Sequence, residues 1–331
     1  MNVYLLAIEA KQLELSIMTT VMHRIDEMKH FLNLTDIGSS DVMGLLELAV
    51  KLKKELKAGG NRAVLKGKQL AMVFQKPSLR TRTSFEIGMV QLGGYALSLS
   101  PAEVKMGERE SPADVARVLS GYVHGIMARV LSHDDVVELA EYASIPVING
   151  LSDYNHPVQT MADLLTMYEQ FGKLDGLKVT YVGDGNNVAR SLMFGAMHTG
   201  INFTIASPAG YMLDEEDFDM ADRLKSGSAT LQTMIDPERA VAEADVIYTD
   251  VWTSMGQENE RAQRLEVFPP YQINDHLLNA AKPETVAMHC LPAHRGEEIS
   301  ASVADGPRAV IFQQAENRMH AQKAILAKLM G

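Results

Sequence analysis

The sequence predicts an α/β protein: two doubly wound parallel-sheet domains with the active site in the cleft between them. Three observations lead there. Short β-rich runs alternate with helix-period segments almost from end to end, as they do where crossover helices join parallel strands. The runs of the first half are continuously apolar rather than alternating, which is expected of strands covered by helices on both faces. The length of 331 residues suits about two domains.

Taken in order, the first helix is expected to be capped by Ser39 or Ser40. It carries Val42, Leu45, Leu46, Ala49 and Leu52 on one stripe and ends near Gly59–Gly60. A strand follows at 69–74, then a helix over 81–92 stopped by Gly93–Gly94, then a strand at 95–100. Ser111 and Pro112 open the next helix, because proline at a first helical position forfeits no hydrogen bond. Strands at 125–130 and 145–149 bracket a helix at 133–143. A long helix over 157–171, ended by Gly172, leads into a second block with the same rhythm. Its strands are expected at 178–183, 201–206, 229–234, 245–251 and 285–291, with helices between most pairs. The stretch from Trp252 to Asn274 is too long and polar for a simple connection and is expected to be a binding loop or lid. A final helix spans about 314–330. The expected domains are 28–165 and 166–313, with the last helix packing back on the first. Residues 1–27 precede them as an extension, either a mis-assigned start or a helical arm.

The charge sum, 31 − 42 = −11, disfavours nucleic acid or an anionic membrane surface as primary partner. A single cysteine excludes an internal disulfide and a thiolate zinc cluster, so a reducing cytoplasm is the expected compartment. No apolar run reaches the ~18 residues of a membrane span. The first residues, interrupted by Glu9, Lys11 and Glu14, do not read as a signal peptide.

Residues able to carry chemistry gather at strand–helix junctions. Lys76 to Ser84 joins a strand to a helix and brings arginines, hydroxyls and a first helical turn together. Such a turn favours an oxyanion and arginine pairs with phosphate; the alternative is a plain N-cap with solvated arginines. The glycine spacing of a P-loop is missing. Arg129 ends an apolar strand, where an unpaired charge is costly, and strand ends face the ligand crevice; it could also sit just past the strand in solvent. His156 and Gln159 open a helix, as ligand groups or as a cap. Gly183 to Asn187 follows a strand but has the wrong spacing for a dinucleotide loop, and its asparagines suit a ligand carboxylate or a turn. Asp250 could hold an ammonium group or cap its own loop. Cys290 is either inert packing or a thiol at a strand end.

Together these segments resemble the transcarbamylases. Ser78-Leu79-Arg80-Thr81-Arg82 is similar to their S-T-R-T-R carbamoyl-phosphate motif. His156-Pro157-Val158-Gln159, Asp250 with Ser254-Met255-Gly256, and His289-Cys290-Leu291-Pro292-Ala293 narrow the likeness to the ornithine carbamoyltransferases, over about 28–331. The resemblance implies carbamoyl transfer from carbamoyl phosphate to the δ-amine of L-ornithine, in arginine metabolism with biosynthesis as the expected direction. It implies no metal or organic cofactor and a homotrimer or a multiple of one. Carried over, Ser78, Leu79, Arg80 and Thr81 hold the phosphate, while Arg129, His156 and Gln159 hold the carbamoyl end. Pro157, Val158, Cys290, Leu291 and Arg318 complete that set. Asn187 and the Met255 amide take the ornithine carboxylate, Asp250 and Ser254 take its α-amine, and Cys290 helps remove the δ-amine proton.

Two departures stand out. Leu79 replaces the usual threonine, which costs a hydroxyl but keeps the amide. Lys105 stands where many relatives carry glutamine, in a loop that the family sends into a neighbouring subunit's site. The rival readings are a carbamoyltransferase for another amine such as putrescine, and a catalytically silent ligand sensor.

Overall fold

The structure, a computed structural model, describes residues 28–254 and 257–331. The proposed extension, residues 1–27, lies outside them. Two parallel sheets form the frame. The first has the order β2-β1-β3-β4, from β1 (Gln69–Phe74), β2 (Tyr95–Leu99), β3 (Gly125–Arg129) and β4 (Val147–Leu151). The second has the order β7-β6-β5-β8-β9, from β5 (Lys178–Val182), β6 (Asn202–Ala206), β7 (Leu231–Met234), β8 (Val246–Thr249) and β9 (Val286–His289). Chain order reverses between β1 and β3 in one sheet and between β5 and β8 in the other. At such switch points the loops after neighbouring strands part in opposite directions and leave a crevice.

Helices cover both sheets: α1 (Ser39–Lys57), α2 (Leu79–Gln91), α3 (Pro101–Val104), α4 (Pro112–Ser120), α5 (His133–Tyr142) and α6 (Pro157–Phe171) in the first half. The second half holds α7 (Asn187–His198), α8 (Glu215–Leu224), α9 (Pro237–Val241), α10 (Arg261–Val267), α11 (Asp275–Ala280), α12 (Ala301–Ala304) and α13 (Ile311–Met330). The sequence rules place most ends well. Ser111 caps α4 by accepting the Asp114 N–H, and Gly172 ends α6 at φ 71°, which only a residue without Cβ adopts freely. The last helix packs on α6, α1 and α2, so the end of the chain lies against the first half. No helix among the described residues is long and apolar enough to cross a membrane.

Several expectations change. Gly38, not Ser39 or Ser40, is the N-cap of α1, and its N–H donates to Asp41 Oδ2 at 3.1 Å. The strand at 95–100 is not covered on both faces: β2 lies at a sheet edge, with Tyr95 59% and Leu97 42% exposed. The strand expected at 145–149 runs from Val147 to Leu151, and β8 and β9 stop at Thr249 and His289. Asp250 and Cys290 therefore stand just beyond their strands. The 252–274 segment carries α10 and is not a simple loop.

Candidate active site

Apart from Arg318, the cleft-facing groups sit where a strand hands over to a helix or loop. After β1, Ser78 caps α2, its Oγ accepting the Thr81 N–H at 3.3 Å. Arg129 ends β3 at a register shift against β4 that turns its side chain into the cleft. Thr81 is fully buried, and its hydroxyl accepts from Arg318 Nη2 at 2.8 Å and from Arg129 Nη1 at 3.4 Å. Arg318 reaches this point from α13, and its Nη1 donates to Gln159 Oε1 at 2.8 Å. Arg80 crosses the cleft to donate to the Leu291 carbonyl at 2.8 Å. Leu291 holds that carbonyl from φ 61°, a left-handed conformation that strains a branched residue and clusters at functional sites. His156 precedes α6, with Pro157 and Val158 buried in the first turn, and its N–H donates to Ser191 Oγ of the second half at 2.7 Å.

Arg80, Arg129, Arg318 and His156 thus share one pocket. Burial, then the neighbouring Arg80, holds both Arg129 and Arg318 down to about 10. Burial and the three guanidiniums push His156 well below the usual imidazole range, so at neutral pH the ring is uncharged and donates from one nitrogen only. Among the described residues, the Nε atoms of Arg80 and Arg318 and His156 Nδ1 are buried without a hydrogen-bond partner. A buried cluster of like charge is expensive unless an anion answers it.

Across the cleft, Asp250 is buried after β8. Its Oδ1 accepts from the Cys290 thiol at 3.0 Å and its Oδ2 from Asn186 Nδ2 at 3.1 Å. Asn186, read with Asn187 as a carboxylate or turn residue but left out of the ornithine set, organises this side. Its Oδ1 caps α7 by accepting the N–H of Val188 and Ala189, which turns Nδ2 toward Asp250 and toward Ser254 Oγ at 3.5 Å. Its neighbour Asn187 instead donates to the Ser152 carbonyl of the first half at 2.7 Å. Met255 lies outside the described residues. Lys105 is exposed in a left-handed turn at φ 46°, and among the described residues no hydrogen bond or ion pair joins its side chain to the cleft.

Burial, then Asp250, pushes the Cys290 thiol well above the usual range. In this arrangement Cys290 is a thiol giving its hydrogen to Asp250. Asp250, His289 and Cys290 are close enough to share a cation. However, His289 commits both ring nitrogens: Nδ1 accepts the Leu291 N–H at 2.8 Å and Nε2 faces buried Glu298 at 3.0 Å. The other such group, His294, Glu297 and Glu298, has Glu297 held by Arg261.

Within the described part of 252–274, one arginine ties α10 to the loops after β5 and β8. Arg264 of α10 is buried, pairs with Asp184 Oδ1 at 2.8 Å and donates to the Trp252 carbonyl at 2.8 Å. Burial lifts Asp184 to about 6 against the pull of Arg264. The glycine beside it is structural: a Cβ on Gly185 would fall 2.6 Å from Leu213 N. Close backbone approach thus explains a motif that superficially suggests a nucleotide.

Comparison with known proteins places this cleft in context. The family model for the carbamoyl-P binding domain of aspartate/ornithine carbamoyltransferases matches residues 29–169, and that for the Asp/Orn binding domain matches 175–329. The chain is 53% identical over 303 residues to the ornithine carbamoyltransferase of Anoxybacillus flavithermus, covering 91% of this chain and 96% of that protein. It is 50% identical over 304 residues to the anabolic ornithine carbamoyltransferase of Pyrococcus furiosus, covering 92% and 96%. A solved structure of ornithine carbamoyltransferase from the latter organism superposes with a TM-score of 0.89, covering 92% of this chain and 97% of that one. With both halves matched and half of all aligned positions shared, the chain belongs to the aspartate/ornithine carbamoyltransferase family.

Proposed function

We propose that this protein transfers the carbamoyl group of carbamoyl phosphate to the δ-amine of L-ornithine, releasing L-citrulline and phosphate. The observation that carries the reading is the meeting of Arg80, Arg129 and Arg318 around buried Thr81, opposite the buried carboxylate of Asp250. A dianion with a carbonyl fits the first set, and an ammonium fits the second. Phosphate is assigned to Arg80 and the backbone N–H groups of Ser78, Leu79, Arg80 and Thr81, where the start of α2 also contributes its dipole. Arg129 and neutral His156 are assigned to the carbonyl oxygen, on which negative charge grows. Gln159 Oε1 and the Leu291 carbonyl accept from the carbamoyl amide. The amine nitrogen bonds to the carbonyl carbon, the C–O bond breaks, and phosphate leaves with the electron pair and takes up the proton that the amine gives up. Asn187, Asp250, Ser254 and the Met255 amide are assigned to the α-carboxylate and α-ammonium. An ammonium beside Asp250 would offset one cause of the high Cys290 pKa, leaving that thiol able to orient the amine. The test is citrulline and phosphate appearing in equal amounts from carbamoyl phosphate and ornithine. Phosphate release that is unaffected by ornithine would contradict the reading.

A homotrimer, or a multiple of one, is proposed with it. Leu79, Ile87 and Val90 on α2 and Tyr95 and Leu97 on the edge strand β2 are all exposed, and an apolar surface of this kind suits a subunit interface. Exposed Lys105 is assigned to a neighbour's phosphate site. Subunits carrying Lys105→Ala, mixed with subunits carrying Arg129→Ala, should then regain activity that neither variant has alone. If Lys105 serves its own subunit, no mixed oligomer contains a complete site and activity stays low. Biosynthesis is the proposed direction, supported by the anabolic relative; loss of the gene should make cells require arginine. The buried free thiol suits a reducing cytoplasm, which cell fractionation would test.

A further inference from the structure

Asp163 lies one turn after Gln159 on α6, is fully buried, and is not itself assigned to either substrate in the reading above. Its carboxylate accepts from Gln159 Nε2 at 2.8 Å, from Gln314 Nε2 at 2.7 Å and from the Tyr248 hydroxyl at 3.1 Å. The orientation of both amides is set by groups that can only donate. Arg318 Nη1 donates to Gln159 Oε1, and the His289 backbone N–H donates to Gln314 Oε1 at 2.9 Å, so both NH₂ groups must face Asp163. The Tyr248 hydroxyl accepts from Gln314 Nε2 at 3.0 Å and so spends its hydrogen on Asp163. Donors from α6, α13 and β8 therefore converge on one carboxylate. An added proton would neutralise the charge that all three donors share and so weaken each bond.

We propose that Asp163 is a positioning residue that, only as a carboxylate, locks Gln159 and through it Arg318 in the arrangement that receives carbamoyl phosphate. The inference rests on the carbamoyl-transfer reading and extends it to a residue outside both substrate sites. If Asp163 becomes neutral, the Gln159 amide is free to turn over. Its NH₂ would then face the guanidinium of Arg318, and its oxygen would be lost to both Arg318 and the carbamoyl amide. The titratable groups facing Asp163 are Arg318 from α13, Tyr248 from β8 and Cys290 beyond β9. Burial lifts Asp163 to about 7, with the three side-chain donors and Arg318 pulling the other way. The lock is therefore complete above that pH and fails as pH falls through it. Stability runs in the opposite sense. A carboxylate whose pKa rises on folding binds its proton more tightly in the native state, so the fold gains from protonation and Asp163→Asn should still fold.

The experiment is the pH profile of citrulline formation, with KM for each substrate, in wild type, Asp163→Asn and Tyr248→Phe. In wild type kcat/KM for carbamoyl phosphate should fall below about pH 7. Asp163→Asn should lower it at least tenfold at pH 8 and flatten the acid limb, while KM for ornithine at saturating carbamoyl phosphate changes less than threefold. Tyr248→Phe removes one donor and should move the acid limb up by about one pH unit, with activity at pH 9 preserved. Wild-type values and an unmoved acid limb in both variants would overturn the role of Asp163 and leave carbamoyl transfer standing. If Asp163→Asn fails to fold, the Tyr248→Phe limb decides alone. No citrulline from wild type at any pH would instead refute the underlying function.

Discussion

Replacing Arg129 by alanine should leave the fold intact and lower turnover about 10²–10³-fold, the usual loss when one preorganised donor to a developing oxyanion is removed. The side chain ends β3 and leans on Thr81 Oγ1, and burial and Arg80 already hold its pKa near 10. Removing it relieves repulsion among the guanidiniums, so thermal stability should not fall. Arg129→Lys should recover little, since a point charge cannot reproduce the forked geometry. Steady-state kcat for the two variants, with circular dichroism as the folding control, checks this. Near-normal turnover in both would place Arg129 outside the site.

Asp250→Asn should weaken ornithine sharply and leave carbamoyl-phosphate affinity nearly unchanged. Asp250 is buried, its neighbours Asn186 and Cys290 both donate to it, and no described residue serves it as an ion-pair partner. An α-ammonium would fill that role, and putrescine brings neither an α-ammonium nor an α-carboxylate. Sites built to pair with a polar group reject analogues lacking it by as much as ~10⁴. Asp250→Asn should therefore erode the preference for ornithine over putrescine chiefly through ornithine KM. Cys290→Ser should lower kcat more than it raises KM, because a hydroxyl resists deprotonation far more than a thiol. Equal loss with both amines in Asp250→Asn would remove Asp250 from amine selection.

Local pattern was enough for the elements whose signals are local. The unbroken apolar run 70–74 lies in β1, and Gly172 marks the end of α6 because the helix stops there at positive φ. Edge status was not legible: β2 is as apolar in sequence as β1, and only the sheet order leaves Tyr95 exposed. The strands before Asp250 and Cys290 looked longer than they are because burial continues past them into the cleft, where side chains from other elements cover the backbone. That Arg80 and Arg129 meet in one crevice was legible from their strand-end positions, whereas Arg318 entered only through the resemblance. The division of labour between Asn186 and Asn187 was not, since it depends on which of two identical side chains caps α7. Asp163 stayed invisible because its meaning lies in Gln314 and Tyr248, 151 and 85 residues away. The thiol state of Cys290 likewise follows from Asp250, which no pattern around residue 290 contains.

The most direct test of the two-sided cleft is kcat/KM for ornithine, putrescine and acetylornithine at saturating carbamoyl phosphate. Ornithine should be preferred over putrescine by about 10⁴. Acetylornithine, whose α-amine is an uncharged amide, should also be poor because Asp250 would face no cation. Comparable efficiency with putrescine would overturn the ornithine assignment, while leaving the carbamoyl-phosphate side of the cleft intact.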